Sequence, residues 1–122
     1  MSVIAPWLSV RDAAAAVEFY RRAFGATTGG EFAEGGGALQ VGELFVAGAR
    51  FWVQHDPDLP AGLDPGRAVR MILTVPDPDA AFARALSAGA VELAGVHEAG
   101  GWRTGRLVDP FGHQWELARP IK

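Results

Sequence analysis

The sequence predicts an α+β fold: two βαβββ units related by a pseudo-twofold, with curled mixed sheets enclosing a cavity. Two observations carry that expectation. The chain is written twice, with LSVRDAAAAVEFYRRAFGA lying over LTVPDPDAAFARALSAGA across a single-residue gap. Each copy places one stretch of helical periodicity among short alternating stretches divided by glycine-containing turns. A repeat this long, occurring only twice, does not suit a solenoid.

The elements follow in order. VIAPWLSV alternates as a strand, with Ile4, Leu8 and Val10 on one side and Ala5, Trp7 and Ser9 on the other. Asp12 is a helix N-cap for AAAAVEFYRRAF, whose apolar stripe runs through Ala13, Ala16, Val17, Tyr20 and Phe24 up to a stop at Gly25. A glycine-rich turn follows (Gly29, Gly30, Gly35 to Gly37), then a hairpin of ALQVGELFV and ARFWVQ about an Ala47-Gly48 turn. In the second copy VRMILTV is a strand, Asp77 a cap, DPDAAFARALSA a helix and Gly89 its stop. AVELAGV, GWRTGRLV, the turn DPFG and HQWEL complete it, with Gly48-Ala49-Arg50-Phe51-Trp52 lying over Gly112-His113-Gln114-Trp115-Glu116. One domain is expected over residues 1–122, with unit one at 1–54, a Pro/Asp/Gly-rich linker at 55–68 and unit two at 69–122.

Composition narrows the function. The net charge of −3 and the lack of any Lys/Arg cluster beyond Arg21-Arg22 argue against nucleic acid as a partner. No apolar run approaches the roughly 18 residues of a membrane span, and MSVIAPWLSV lacks the basic start of a signal peptide. A cytoplasmic protein without membrane partners is expected. With no cysteine there is no disulfide, thiolate nucleophile or Cys-type zinc site. Arginine stands nearly everywhere in place of lysine, whose sole instance is Lys122; this usage matches a GC-rich bacterial genome.

The mixed strand faces carry the candidate chemistry. Trp7 and Trp52 fall there, with Gln54 beside Trp52 by alternation and Glu43 opposite it across the hairpin. Trp102-Arg103 opens the seventh strand at a rim. The tryptophans either fill space or form an aromatic clamp for a flat or cationic ligand. Trp115 belongs to the core. His113 and Glu116 are three apart and point to opposite strand faces, so His113 reads as a hairpin residue. His55 in the linker and His97-Glu98 in a glycine-rich loop match no metal motif.

WLSVRDAAAAVEFYRRAFGA and GWRTGRLVDPFGHQWELARP resemble the vicinal-oxygen-chelate superfamily of glyoxalase I, extradiol dioxygenases, fosfomycin-resistance enzymes and bleomycin-resistance proteins. The likeness is above all to its small, single-domain PhnB-like members. It implies a homodimer that binds a small molecule. It also implies four metal-ligand positions, which map to Ala5, Trp52, Arg70 and Glu116. Only Glu116 has a lone pair to give, so no metal and no cofactor is expected. Glu116 and Arg70 then pair, either as a structural ion pair or, across the cavity, as an anion-binding or base-and-stabiliser couple. The leading expectation is a metal-independent binder of an aromatic natural product, an antibiotic among the candidates. Trp7, Trp52, Trp102, Glu43, Gln54, Arg70, Arg103 and Glu116 would line its site. The alternative is a lyase- or isomerase-type enzyme, without a metal or with an atypical one, using Glu116 as base with Arg70.

Overall fold

Alternation and capping give the chain its elements, which a computed structural model describes for residues 4–33, 39–59 and 69–121. The chain divides into two compact units, residues 1–61 and 62–122. In unit 1, β1 (Trp7–Val10), α1 (Ala13–Phe24), β2 (Thr27–Ala33), β3 (Leu39–Val46) and β4 (Ala49–His55) follow one another. Its sheet has the order β1-β4-β3-β2, with β1 parallel to β4 and the other pairs antiparallel. Unit 2 repeats this with β5 (Arg70–Thr74), α2 (Pro78–Ala88), β6 (Val91–Ala99), β7 (Trp102–Val108) and β8 (Gln114–Pro120) in the order β5-β8-β7-β6. Each unit is therefore βαβββ. No helix among the described residues is long and apolar enough to cross a membrane.

Helix α1 begins where two acceptors meet its free N–H groups. The Asp12 carboxylate accepts from Ala15 N and the His55 Nδ1 from Ala13 N, each at 3.1 Å. Gly25 ends the helix at φ 68°, in the left-handed region. Phe19 and Ala23 are buried along with Ala13, Ala16, Val17 and Tyr20, while Phe24 is only half-buried. Tyr20 meets Phe51 edge-on at 5.1 Å, and Leu8, Val10, Leu44, Val46 and Val53 complete that core. In unit 2, Asp77 caps Ala80 N, Pro78 opens the helix, and Phe82 and Ala85 are buried along with Leu107, Trp115 and Leu117 of the sheet. Gly42 and Gly105 hold equivalent places, paired with Val53 and Leu117. A Cβ on Gly42 would lie 3.3 Å from Val17, and one on Gly105 2.8 Å from the Phe82 ring, so each glycine lets its helix approach the sheet.

Four expectations are corrected. Gly29 and Gly30 lie within strand β2, at a register irregularity between Thr28 and Glu31, and not in a turn. Strand β6 extends through Ala99, so His97 and Glu98 are strand residues. His55 ends β4 rather than starting a linker. The first strand begins at Trp7, later than alternation suggested. The Gly35 to Gly37 run and most of the expected linker lie outside the described residues.

The two β-hairpins that close the units are built differently. Ala47 and Gly48 both have positive φ, 50° and 82°, as a two-residue primed turn requires. In unit 2, Asp109 is fully buried and its carboxylate gathers three donors, each at 2.9 Å: Phe111 N, His113 N and the Trp115 indole N–H. The DPFGHQW stretch is therefore a loop organised around one carboxylate, with Trp115 buried on the helix side.

Candidate functional site

Strand alternation leaves each sheet a second face, and in unit 1 this face holds an aromatic wall. Trp7 and Trp52 are register partners on the parallel strands β1 and β4, with ring centroids 6.0 Å apart and planes tilted by 32°. With centroids 6.0 Å apart the pair leaves less than the roughly 7 Å that a flat ligand needs between two facing rings, twice the contact distance of carbon atoms. In this arrangement Trp7 and Trp52 form one aromatic wall. Gln54 Oε1 accepts from Trp7 Nε1 at 2.8 Å and fixes the orientation of that ring. Trp7 keeps 52% of its surface exposed.

Beside the wall sits a held carboxylate. Glu43 is the antiparallel partner of Trp52, and its side chain is only 16% exposed. Its Oε1 accepts from Gly30 N at 2.9 Å, while Oε2 lies 3.2 Å from Arg50 Nη1. A Cβ on Gly29 would overlap the Glu43 carboxylate, so the irregular Gly29-Gly30 pair both clears the space and supplies the donor. The Gly30 N–H, aided by Arg50 and opposed by burial, holds the Glu43 carboxyl below its ordinary range. Arg50 also stands over the Trp52 ring, its guanidinium carbon 5.7 Å from the centroid.

Unit 2 carries a different group on the equivalent face. Ile72 and Arg106 are the register partners of Glu116, where unit 1 has Trp7 and Glu43 about Trp52. Glu116 Oε2 accepts from the Thr104 hydroxyl at 2.6 Å. Arg70 Nε lies 2.9 Å from Glu116 Oε1, close enough for an ion pair. Its N–H is not directed at that oxygen, however, and Oε1 is buried with no hydrogen-bond donor among the described residues. The pair lies along one sheet, Arg70 on β5 and Glu116 on β8, and not across a cavity.

Of the residues singled out from sequence, the structure brings Trp7, Trp52, Gln54 and Glu43 together in unit 1, and Arg70 with Glu116 in unit 2. Trp102 is exposed at the start of β7, with Thr104 and Arg106 following on its side of the strand. Arg103 stands apart on the helix side: Asp79 of α2 accepts from its Nε at 2.6 Å and its Nη2 at 2.7 Å, and Glu98 lies 3.5 Å away. That bond keeps the Asp79 carboxyl low and raises the Arg103 guanidinium. Arg50, Gly30 and Thr104 join the site without having been singled out for it in the sequence. Arg50 had a signal, since it lies two residues before Trp52 and shares its face.

A glyoxalase-like domain model matches residues 5–118. A protein of Mycobacterium bovis is 37% identical over 129 residues, covering 98% of this chain and 84% of its own length. Among solved structures, an Arabidopsis thaliana gene product is 32% identical with a TM-score of 0.75, covering 98% of this chain and 99% of its own. The fosfomycin resistance protein FosX of Listeria monocytogenes, solved with Mn(II) and sulfate, shares the fold at a TM-score of 0.71 and 16% identity, over 97% of this chain and 91% of its own. The fold and these matches define a class, proteins of the vicinal-oxygen-chelate superfamily. The chain belongs to its glyoxalase-like family.

The metal associated with that fold finds no fitting donor set here. Of the four mapped positions, Ala5 and Trp52 offer no lone pair, and Arg70 places a cation 2.9 Å from the one carboxylate, Glu116. Among the described residues no group of three or more His, Asp or Glu side chains is placed to hold a metal ion.

Proposed function

We propose that this protein is a metal-independent binder that sequesters a small aromatic molecule, working as a cytoplasmic homodimer. The observation that supports the reading is the Trp7–Trp52 wall, with one ring half in solvent and both bordered by Gln54, Glu43 and Arg50. Large apolar rings left exposed beside ordered polar groups mark ligand surfaces. By its resemblance to bleomycin-resistance proteins, the ligand class is a planar natural product, and binding would protect a bacterial host. Planar antibiotics titrated into the protein should quench tryptophan fluorescence and raise the melting temperature. Trp52→Ala should weaken that binding roughly tenfold through lost stacking. If no planar compound changes either signal, the reading is wrong.

The buried Glu116 Oε1, with no donor among the described residues, favours a second reading: an enzyme of lyase or isomerase type. Glu116 would act as the base and Arg70 would stabilise developing negative charge. A Glu116→Gln variant that keeps full turnover on an identified substrate would remove this assignment.

A further inference from the structure

The unit 1 wall already has a guest, the side chain of Arg50. Its guanidinium, itself a planar cation, lies over the Trp52 ring and 3.2 Å from the Glu43 carboxylate. These are the two contacts that a planar cationic ligand would make, a π face beneath and a carboxylate at the edge. The two partners of Arg50 are fixed. Trp52 packs against Trp7, whose indole is bound to Gln54, and Glu43 is tied to the backbone of Gly30 in a strand irregularity shaped around it. Arg50 itself is 42% exposed in its side chain and sits on a flexible stem.

We propose that this face recognises a planar organic cation, and that Arg50 is a built-in stand-in which the ligand displaces. The inference rests on the proposed aromatic binding and names its ligand class. Charge decides among ligands. Replacing one cation by another leaves Glu43 compensated, whereas a planar anion would set a second negative charge beside a carboxylate that cannot move away. Releasing Arg50 into water costs little, since its own side chain is already 42% exposed and an ion pair open to water is worth no more than about fivefold in an equilibrium constant. A ligand with fused rings covers more of Trp7 and Trp52 than a guanidinium does, and a cation–π contact strengthens as water leaves it.

The test compares three probes of similar shape by calorimetry near neutral pH: N-methylquinolinium, neutral quinoline and anionic 2-naphthoate. On the wild-type protein N-methylquinolinium should bind about tenfold more tightly than quinoline, and 2-naphthoate weakest. Glu43→Gln should remove most of that preference. Arg50→Ala should tighten N-methylquinolinium binding by about two- to fivefold, because its competitor is gone. Equal binding of N-methylquinolinium and quinoline overturns the cation site while leaving the aromatic wall in place. Tightest binding of 2-naphthoate, or weaker cation binding in Arg50→Ala, overturns it as well. If none of the three binds, the aromatic-binding reading falls together with it. The probe comparison on the wild-type protein needs no variant to fold.

Discussion

The two units share one backbone plan and carry opposite chemistry on the same places. Where unit 1 has Trp7, Trp52, Glu43 and Arg50, unit 2 has Ile72, Glu116, Arg106 and Gln114. The helix-facing side barely changes between them: Leu44, Phe51 and Val53 become Leu107, Trp115 and Leu117, all buried. A duplicated βαβββ scaffold therefore constrains one sheet face by packing and leaves the other free to take up chemistry. In unit 1 that freedom produced an aromatic wall with a held carboxylate. In unit 2 it produced a carboxylate whose two oxygens meet a hydroxyl and a guanidinium.

The two units differ most in their hairpins. Asp109→Ala in unit 2 removes the fully buried carboxylate that accepts from two backbone N–H groups and the Trp115 indole. A loss of about 3 kcal/mol is expected in urea unfolding, with unit 1 offering no counterpart to compensate. Next in size is Gly29→Ala, whose methyl group would overlap Glu43 and press on Phe45. It should cost roughly 1–3 kcal/mol, as overpacking does, and displace Glu43 from Gly30; thermal melts and the Glu43 carboxyl titration would read both effects. Smaller, and of opposite sign, is Ala47→Asn. It relieves a non-glycine residue at φ 50° by giving the turn an Asn-Gly pair, and should stabilise by about 0.5–1 kcal/mol in the same unfolding assay.

Acid titration sharpens the comparison further. Glu43 in unit 1 is lowered first by the Gly30 N–H, and Asp79 in unit 2 first by the Arg103 guanidinium. A carboxyl depressed in the folded state contributes stability that is present above its unfolded value and lost as pH falls through its folded value. Both contributions should therefore fade on the acid side of the ordinary carboxylate range, near 4. Carboxyl NMR should find both groups titrating below it. Arg103→Ala should return Asp79 to the ordinary range and leave Glu43 unmoved.

Much of this was legible in the letters. Asp12, Gly25, Asp77 and Gly89 marked the helix ends because capping is local chemistry, readable within a few residues. Alternation with the Ala47-Gly48 turn put Glu43 opposite Trp52 because register propagates from the turn. Strand β2 was not legible. Its glycines read as a turn, and their reason is a carboxylate on the next strand. Asp109 likewise read as a turn marker, since nothing nearby in sequence announces a bond to an indole six residues on. Arg103 shows the remaining gap: alternation sets it on the opposite face from its neighbour Trp102, but the partner that holds it, Asp79, lies on a helix.

The four tryptophans divide evenly between the units, two in each, and so report separately on the two sheet faces. Indole N–H signals can be followed by NMR while N-methylquinolinium is added. With the binding face on unit 1, the Trp7 and Trp52 signals should move together and saturate, while Trp102 and the Asp109-bound Trp115 stay in place. Movement of Trp102 alone, with Trp7 and Trp52 unchanged, would contradict it and move the binding face to unit 2.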